Sequence, residues 1–177
     1  MSKNTERTAR LTMRAGTIGL ALALASAAPL FAQGATSKTA TFTVSLTIQA
    51  DCDITANPLD FGSTGIIHAN IDQTTTVNVT CTKGTAYNIG LDQGSISGSA
   101  VATRLLGSTG SPTPTVNFGL YRDSARTQNW GQTIGTDTLS GTGTGSSQAL
   151  TVYGRVPTQT APAAGAYTST ITATVTF

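Results

Sequence analysis

The chain has 177 residues, of which only 10% are charged, with ten Lys and Arg against eight Asp and Glu and a single His. Residues 1–32 carry four of those bases and one of the acids, so without them the balance is six against seven, a net charge of −1. That leaves no basic patch for phosphates and argues against nucleic acid or an anionic membrane surface as a partner. The remaining 145 residues fit one domain with a real core.

Residues 1–32 read as a signal peptide. Lys3, Arg7, Arg10 and Arg14 form a basic start, and Ala15 to Ala28 is an apolar run too short to span a bilayer comfortably. The predicted cut follows Ala32, with a cut after Ala25-Ser26-Ala27 as the alternative. Export follows from this reading.

Residues 40–50 then alternate without a break. Ala40, Phe42, Val44, Leu46, Ile48 and Ala50 point one way, and Thr41, Thr43, Ser45, Thr47 and Gln49 the other. Period two is the signature of a strand with one apolar edge and one hydroxyl edge. The strand is predicted over 40–52, ending at Cys52. Further strands are predicted over 74–82, 86–92, 115–122, 148–156 and 166–177, with fainter patterns near 101–106 and 128–134. No helical period appears after residue 32. Between the strands lie Asn57-Pro58, Phe61-Gly62, Ser111-Pro112-Thr113-Pro114, the loose Gly141–Gly145 loop and Ala161–Gly165, all turn or loop compositions. The last segment repeats the first one's design, with Tyr167, Ile171, Ala173, Val175 and Phe177 set against Thr168, Thr170, Thr172, Thr174 and Thr176.

Short strands at this spacing predict an all-β sandwich. Trp130 follows both cysteines, so the Cys, Trp, Cys order of antibody domains is absent. Six clear strands make an odd sandwich, and an antiparallel sandwich short of a strand exposes a groove and bare backbone donors.

Cys52 and Cys81 are the only cysteines in an exported chain, which predicts a disulfide between them. A metal-binding pair would need further ligands, and His68 is the sole histidine. No cofactor and no metal are expected. Catalysis finds little footing either. After residue 32 there is no Glu, Gly-x-Ser-x-Gly does not occur, and Asp51 and Asp53 flank Cys52 as solvated neighbours rather than as a carboxylate pair in a cleft. Tyr121, Arg122, Asp123 and Arg126 form one polar–aromatic cluster. It reads either as an Asp123–Arg126 pair across a turn or as a carbohydrate- or subunit-contacting patch.

Several motifs carry a family resemblance. They are the alternating strand ending in Cys52, Asn57-Pro58-Leu59-x-Phe61-Gly62, Val77-x-Val79-Thr80-Cys81, the stretch Phe118-Gly119-Leu120-Tyr121-Arg122-Asp123-x-Ala125-Arg126-Thr127, and Gly165-x-Tyr167 through Val175-x-Phe177. On these the chain resembles the spore coat protein U domain family, the subunits of archaic chaperone–usher pili of the Csu type. The resemblance implies an incomplete immunoglobulin-like β-sandwich lacking its final strand, completed by a donor strand in trans. It implies a non-enzymatic subunit, with other pilin copies, a periplasmic chaperone and an outer-membrane usher as partners, and a role in attachment and biofilm formation.

Under that reading residues 33–44 are the donor segment, with Ala40, Phe42 and Val44 as its plugs, and 45–177 the pilin domain. Leu46 and Ile48 are expected to face the subunit's own core. Tyr167, Ile171, Val175 and Phe177 are expected to line the acceptor groove and meet the chaperone. A spore or cell-surface coat protein and a secreted carbohydrate-binding β-sandwich are the alternative functions.

Overall fold

A computed structural model describes residues 34–110 and 113–177, so the predicted signal peptide and residues 111–112 of the Pro-rich loop lie outside the described residues. Nine strands form among them: β1 (Cys52–Ala56), β2 (Ile71–Cys81), β3 (Ala86–Leu91), β4 (Arg104–Ser108), β5 (Thr115–Tyr121), β6 (Leu139–Thr142), β7 (Gln148–Val156), β8 (Tyr167–Thr168) and β9 (Ala173–Thr176). They make two antiparallel sheets, one of six strands in the order β1-β2-β7-β5-β4-β8 and one of three in the order β6-β3-β9. The fold is an all-β sandwich, as the strand spacing predicts.

Period-two alternation places the core. Val77, Val79 and Cys81 of β2, Tyr87, Ile89 and Leu91 of β3, Val116, Phe118 and Leu120 of β5, and Val152 and Val156 of β7 are all buried between the sheets. Gly154 in β7 leaves room that a side chain would take. A Cβ there would lie 2.5 Å from Leu59 Cδ2 and 3.0 Å from Phe61 Cζ, so the 57–62 loop folds its two apolar side chains onto the sheet. Phe61 then meets the Phe118 ring edge-on, with centroids 6.2 Å apart.

Four expectations need correction. The first strand is not 40–52 but β1, which begins at Cys52, because ladder partners exist from Cys81 back to Val77 and residues 34–51 pair with no strand. The final segment is two strands rather than one. β8 pairs with β4 and β9 with β3, so the chain changes sheets between them. Side chains hold the crossover, Ser95 Oγ accepting from Thr170 N (3.0 Å) and Asp92 Oδ1 from Thr172 N (3.0 Å). Residues 128–134 are not a strand; Trp130 is fully buried there and donates from Nε1 to Ile89 O at 2.8 Å. Finally, Asp123 and Arg126 meet across the turn through the backbone, Arg126 N donating to Asp123 O at 3.0 Å, and not as a side-chain ion pair. The Asp123 carboxylate caps its own turn, accepting from Thr127 N, Thr127 Oγ1 and Gln128 N. Arg126 instead reaches Asp72 at 3.3 Å and lies over the Tyr153 ring.

One buried cation ties the sheets together. Arg104, at the start of β4, has no exposed surface and donates to four backbone carbonyls. Nε reaches Asp92 O (2.8 Å), Nη1 reaches Val101 O (3.0 Å), and Nη2 reaches Leu91 O (3.0 Å) and Trp130 O (2.6 Å). The planar fork satisfies carbonyls at the end of β3 and in the Trp130 loop from a strand of the opposite sheet. Burial pulls its pKa down to about 10, with Asp92 and Asp137 opposing that pull. It stays a cation at physiological pH.

Arg104→Lys keeps the charge but loses the fork, and at least one buried carbonyl is left unpaired. The expected loss is about 1.5–3 kcal/mol by chemical denaturation, with Arg104→Ala more damaging still. On the outer face, Arg155 donates both of its bonds to Asp72 at 2.7 Å. That bond from Arg155, with the charge of Arg126 adding and partial burial opposing, holds the Asp72 carboxyl below its usual range. Its contribution to stability is therefore complete at neutral pH and is lost as pH falls below about 4. The melting midpoint of Asp72→Asn should accordingly fall less than that of the parent over that acid range.

Candidate functional site

The two sheets do not close over one another. An apolar cleft of about 1030 Å³ opens between them. Its floor is the core itself, with Val116, Phe118 and Leu120 of β5, Val152 and Val156 of β7, Leu91 of β3 and Leu106 of β4. One rim is the 56–65 segment, with Leu59 and Phe61. The other is the stretch 161–169 with Ile171 and Ala173. An engineered cavity from a single truncated core side chain is roughly 150 Å³, so this space takes several side chains and their backbone. Among the described residues, the only charged side chain in the lining is Asp60, whose Oδ1 accepts from Gly62 N at 2.8 Å and so shapes a turn. The rest of the lining is apolar side chains with scattered Ser and Thr hydroxyls, a surface suited to burying apolar side chains.

The cleft lies beside an unpaired strand edge. β9 pairs with β3 on one side, and no strand of the described residues pairs with its other side. Unpaired N–H and C=O groups along an edge are a template for another strand.

Tyr167 and Ile171 are among the residues that line this cleft. Tyr167 also donates from its hydroxyl to Ala163 O at 2.7 Å, which fixes the rim. Val175 and Phe177 are not in the lining. Val175 packs against the core, and Phe177, past the end of β9, keeps 56% of its surface exposed. Sequence reasoning missed Leu59, Phe61 and Leu106 as lining residues. The Leu59-x-Phe61-Gly62 motif was the available signal, because a turn needs no two large apolar residues of its own.

The alternating N-terminal segment has the opposite character. Ala40 is exposed, and Phe42, Val44, Leu46 and Ile48 keep 87%, 83%, 86% and 75% of their surface exposed. The expectation that Leu46 and Ile48 face the subunit's own core is therefore overturned. The pairing with β2 explains why. Thr82 N donates to Asp51 O at 2.9 Å, while Thr82 Oγ1 accepts from Asp51 N and donates to Gln49 O. Residues 49–51 thus extend β1 just past the end of β2, and Leu46 and Ile48 lie beyond that anchored stretch.

Cys52 and Cys81 stand directly opposite in the β1–β2 register and are joined, with Cα atoms 4.1 Å apart. The bond fastens β1 where the exposed segment begins. Among the described residues, no group of three or more His, Cys, Asp or Glu side chains could hold a metal ion.

A family model described as Spore Coat Protein U domain matches residues 38–174. Solved structures that resemble the chain include one from the CsuC–CsuE chaperone–tip adhesion subunit pre-assembly complex of archaic chaperone–usher Csu pili of Acinetobacter baumannii. The TM-score is 0.53 at 23% sequence identity, over 74% of this chain and 40% of that one. This chain thus spans well under half of that structure's chain, and the likeness is one of fold. No curated protein matches.

Cys52 and Cys81 are 29 residues apart in sequence. Replacing both by Ser should lower stability by about 3.5 kcal/mol on the chain-entropy account. The matched measurement is the denaturation midpoint of the parent with and without reductant, which should differ by the same amount.

Proposed function

The chain belongs to the Spore Coat Protein U domain family, and on that footing we propose that it is a structural subunit of a surface pilus, polymerising by donor-strand exchange. The observation that carries the reading is a mismatch within one chain. It has an apolar cleft beside an unpaired β9 edge, and an exposed, strand-patterned segment with no apolar surface of its own to cover. Strand addition joins the two, with backbone hydrogen bonds along the edge for affinity and alternate side chains in the cleft for register.

In this reading the N-terminal segment of one copy enters the cleft of the next, with Phe42 and Val44 as large plugs and Ala40 as a small one. Before assembly the cleft is occupied by a strand of a periplasmic chaperone, and an outer-membrane usher is where one occupant replaces the other. The subunit is exported through the periplasm to the surface, where the fibre serves attachment and biofilm formation. No catalysis is involved.

Each large plug contributes about 1.5–3 kcal/mol when fully buried, and each backbone bond about 0.5–1.5 kcal/mol before the cost of ordering the segment. Because these contacts must break together, the fibre persists kinetically beyond what its equilibrium stability alone would suggest.

Deleting residues 33–44 should abolish polymerisation while leaving the cleft able to take a chaperone strand. Phe42→Asp would bury an unpaired charge and should impair fibre formation more than Phe42→Ala. Thr41→Ala, on the hydroxyl side, should be nearly silent. Fibre yield by electron microscopy and sedimentation reads all three, and equal damage from Thr41 and Phe42 substitutions would reduce the segment to a tether. A full-length chain that stays a monodisperse monomer without any partner would count against the reading as a whole.

A further inference from the structure

The outer face of the six-stranded sheet carries a cluster that plays no part in the cleft. Gly119 of β5 stands opposite Arg155 of β7, and Arg155 stands opposite Asp72 of β2. Phe118 and Leu120 are buried in the core, so Gly119 and Tyr121, which alternate with them, point outward. A Cβ on Gly119 would collide with Tyr121 Oη, Cζ and Cε2, at nearly the same distance from each. A point well beyond bonding distance from three bonded atoms, and equally far from each, lies off the plane of their ring. The Tyr121 ring therefore lies flat over Gly119, one face against the backbone and the other turned outward beside Arg155.

Two guanidinium groups meet there on one carboxylate. Arg155 holds Asp72 through Nε and Nη2, both at 2.7 Å, and Arg126 Nη1 lies 3.3 Å from Asp72 Oδ2. One positive charge is left over, while Arg122 and Asp123 nearby add one of each sign. Arg155 Nη1 has no partner among the described residues, and the Arg155 side chain keeps 27% of its surface exposed.

Arg126 is held in this cluster at a backbone cost. It is the one non-glycine residue with a positive φ, 58°, among the described residues, and left-handed backbone is strained for a side-chain-bearing residue. Glycine would make the same turn more cheaply. What the strain secures is the guanidinium, which donates from Nε to Gly154 O and from Nη1 to Ser124 O, both at 3.1 Å, and lies over the Tyr153 ring.

We propose that this face binds a hexuronate residue of an acidic polysaccharide. The C–H face of the sugar ring lies on Tyr121, and the sugar's carboxylate accepts from the free N–H groups of Arg155. The face of an aromatic ring is electron-rich and suits C–H groups, and a guanidinium suits a carboxylate. A hexuronate presents both on one small ring, and its charge matches the unpaired cation, which a neutral sugar leaves unmatched. Arg126 is a positioning residue: by sharing Asp72 it keeps that carboxylate from cancelling the charge of Arg155. The site does not rest on the pilin reading. In a fibre each copy would present it once, and weak single contacts would add up along the array.

The test immobilises the full-length secreted chain, in whichever assembly it adopts, and titrates it with a short oligouronate. The same oligosaccharide with its carboxyl groups reduced to alcohols is the comparison, which needs no variant. The parent should bind the oligouronate saturably and the reduced form roughly tenfold or more weakly. Arg155→Gln and Tyr121→Leu should each lose most of the binding, and Lys83→Gln, a cation outside the cluster, should lose none. Arg126→Gly relieves the backbone strain and should narrow the preference for the charged form, which a purely structural role would not do. Equal binding of the two oligosaccharides, binding of neither, or binding that survives both Arg155→Gln and Tyr121→Leu overturns the proposal. So does an Arg155→Gln chain that keeps its sugar binding but changes its sedimentation, the result expected if a second copy covers this face.

Discussion

An antiparallel sheet edge next to an apolar cleft is a structure that water satisfies poorly. The edge groups of β9 can find water, but the apolar lining of the cleft above the buried Val116, Phe118 and Leu120 cannot be hydrated without cost. Only an extended segment with one apolar side meets both needs, since its backbone pairs with the edge while alternate side chains fill the cleft. A helix would offer no backbone groups, and a scattered apolar loop would leave the edge bare. That requirement makes sense of the continuous alternation from Ala40 to Ile48 and of its hydroxyl side, where Thr41, Thr43, Ser45 and Thr47 would face water on the completed sheet.

Keeping such a cleft open demands that the rest of the sandwich hold without its missing strand. Three devices serve that end. The Cys52–Cys81 bond fastens the edge strand β1 to β2. Arg104 links β4 to carbonyls of the opposite sheet and of the Trp130 loop, so a polar clamp joins the sheets in addition to their apolar core. Leu59 and Phe61 lie on Gly154 and prop the rim against β7. The crossover between β8 and β9 belongs to the same design. Asp92 and Ser95 satisfy the backbone that would otherwise break the ladder, and the chain can border the cleft with strands from both sheets.

Much of this was legible from alternation alone. β3, β5 and β7 fall within a residue or two of their predicted spans, because each presents three or four apolar residues at period two to a single core. The disulfide was legible from export and cysteine count. Other features were not, for identifiable reasons. β6, Leu139–Thr142, is four residues long and carries one large apolar side chain, so its pattern is too short to register. Arg104 looks like any surface cation until its carbonyl partners are seen, and those come from segments up to 26 residues away. The alternation at 40–50 has the period of a strand, yet residues 40–51 form none in the subunit, because sequence cannot say which molecule provides a strand's neighbours. That ambiguity led to Leu46 and Ile48 being assigned to the subunit's own core, whereas both are exposed.

The central claim is that the cleft is specific for the chain's own N-terminal segment. The most direct measurement is to add a synthetic peptide of residues 38–50 to a subunit lacking residues 33–48 and follow backbone amide exchange. The account predicts saturable binding, a monodisperse complex and slowed exchange along Ala173–Thr176, with a peptide carrying Asp in place of Phe42 failing to produce it. Exchange along β9 that is unchanged by saturating peptide, or equally slowed by the Asp-bearing one, would contradict it.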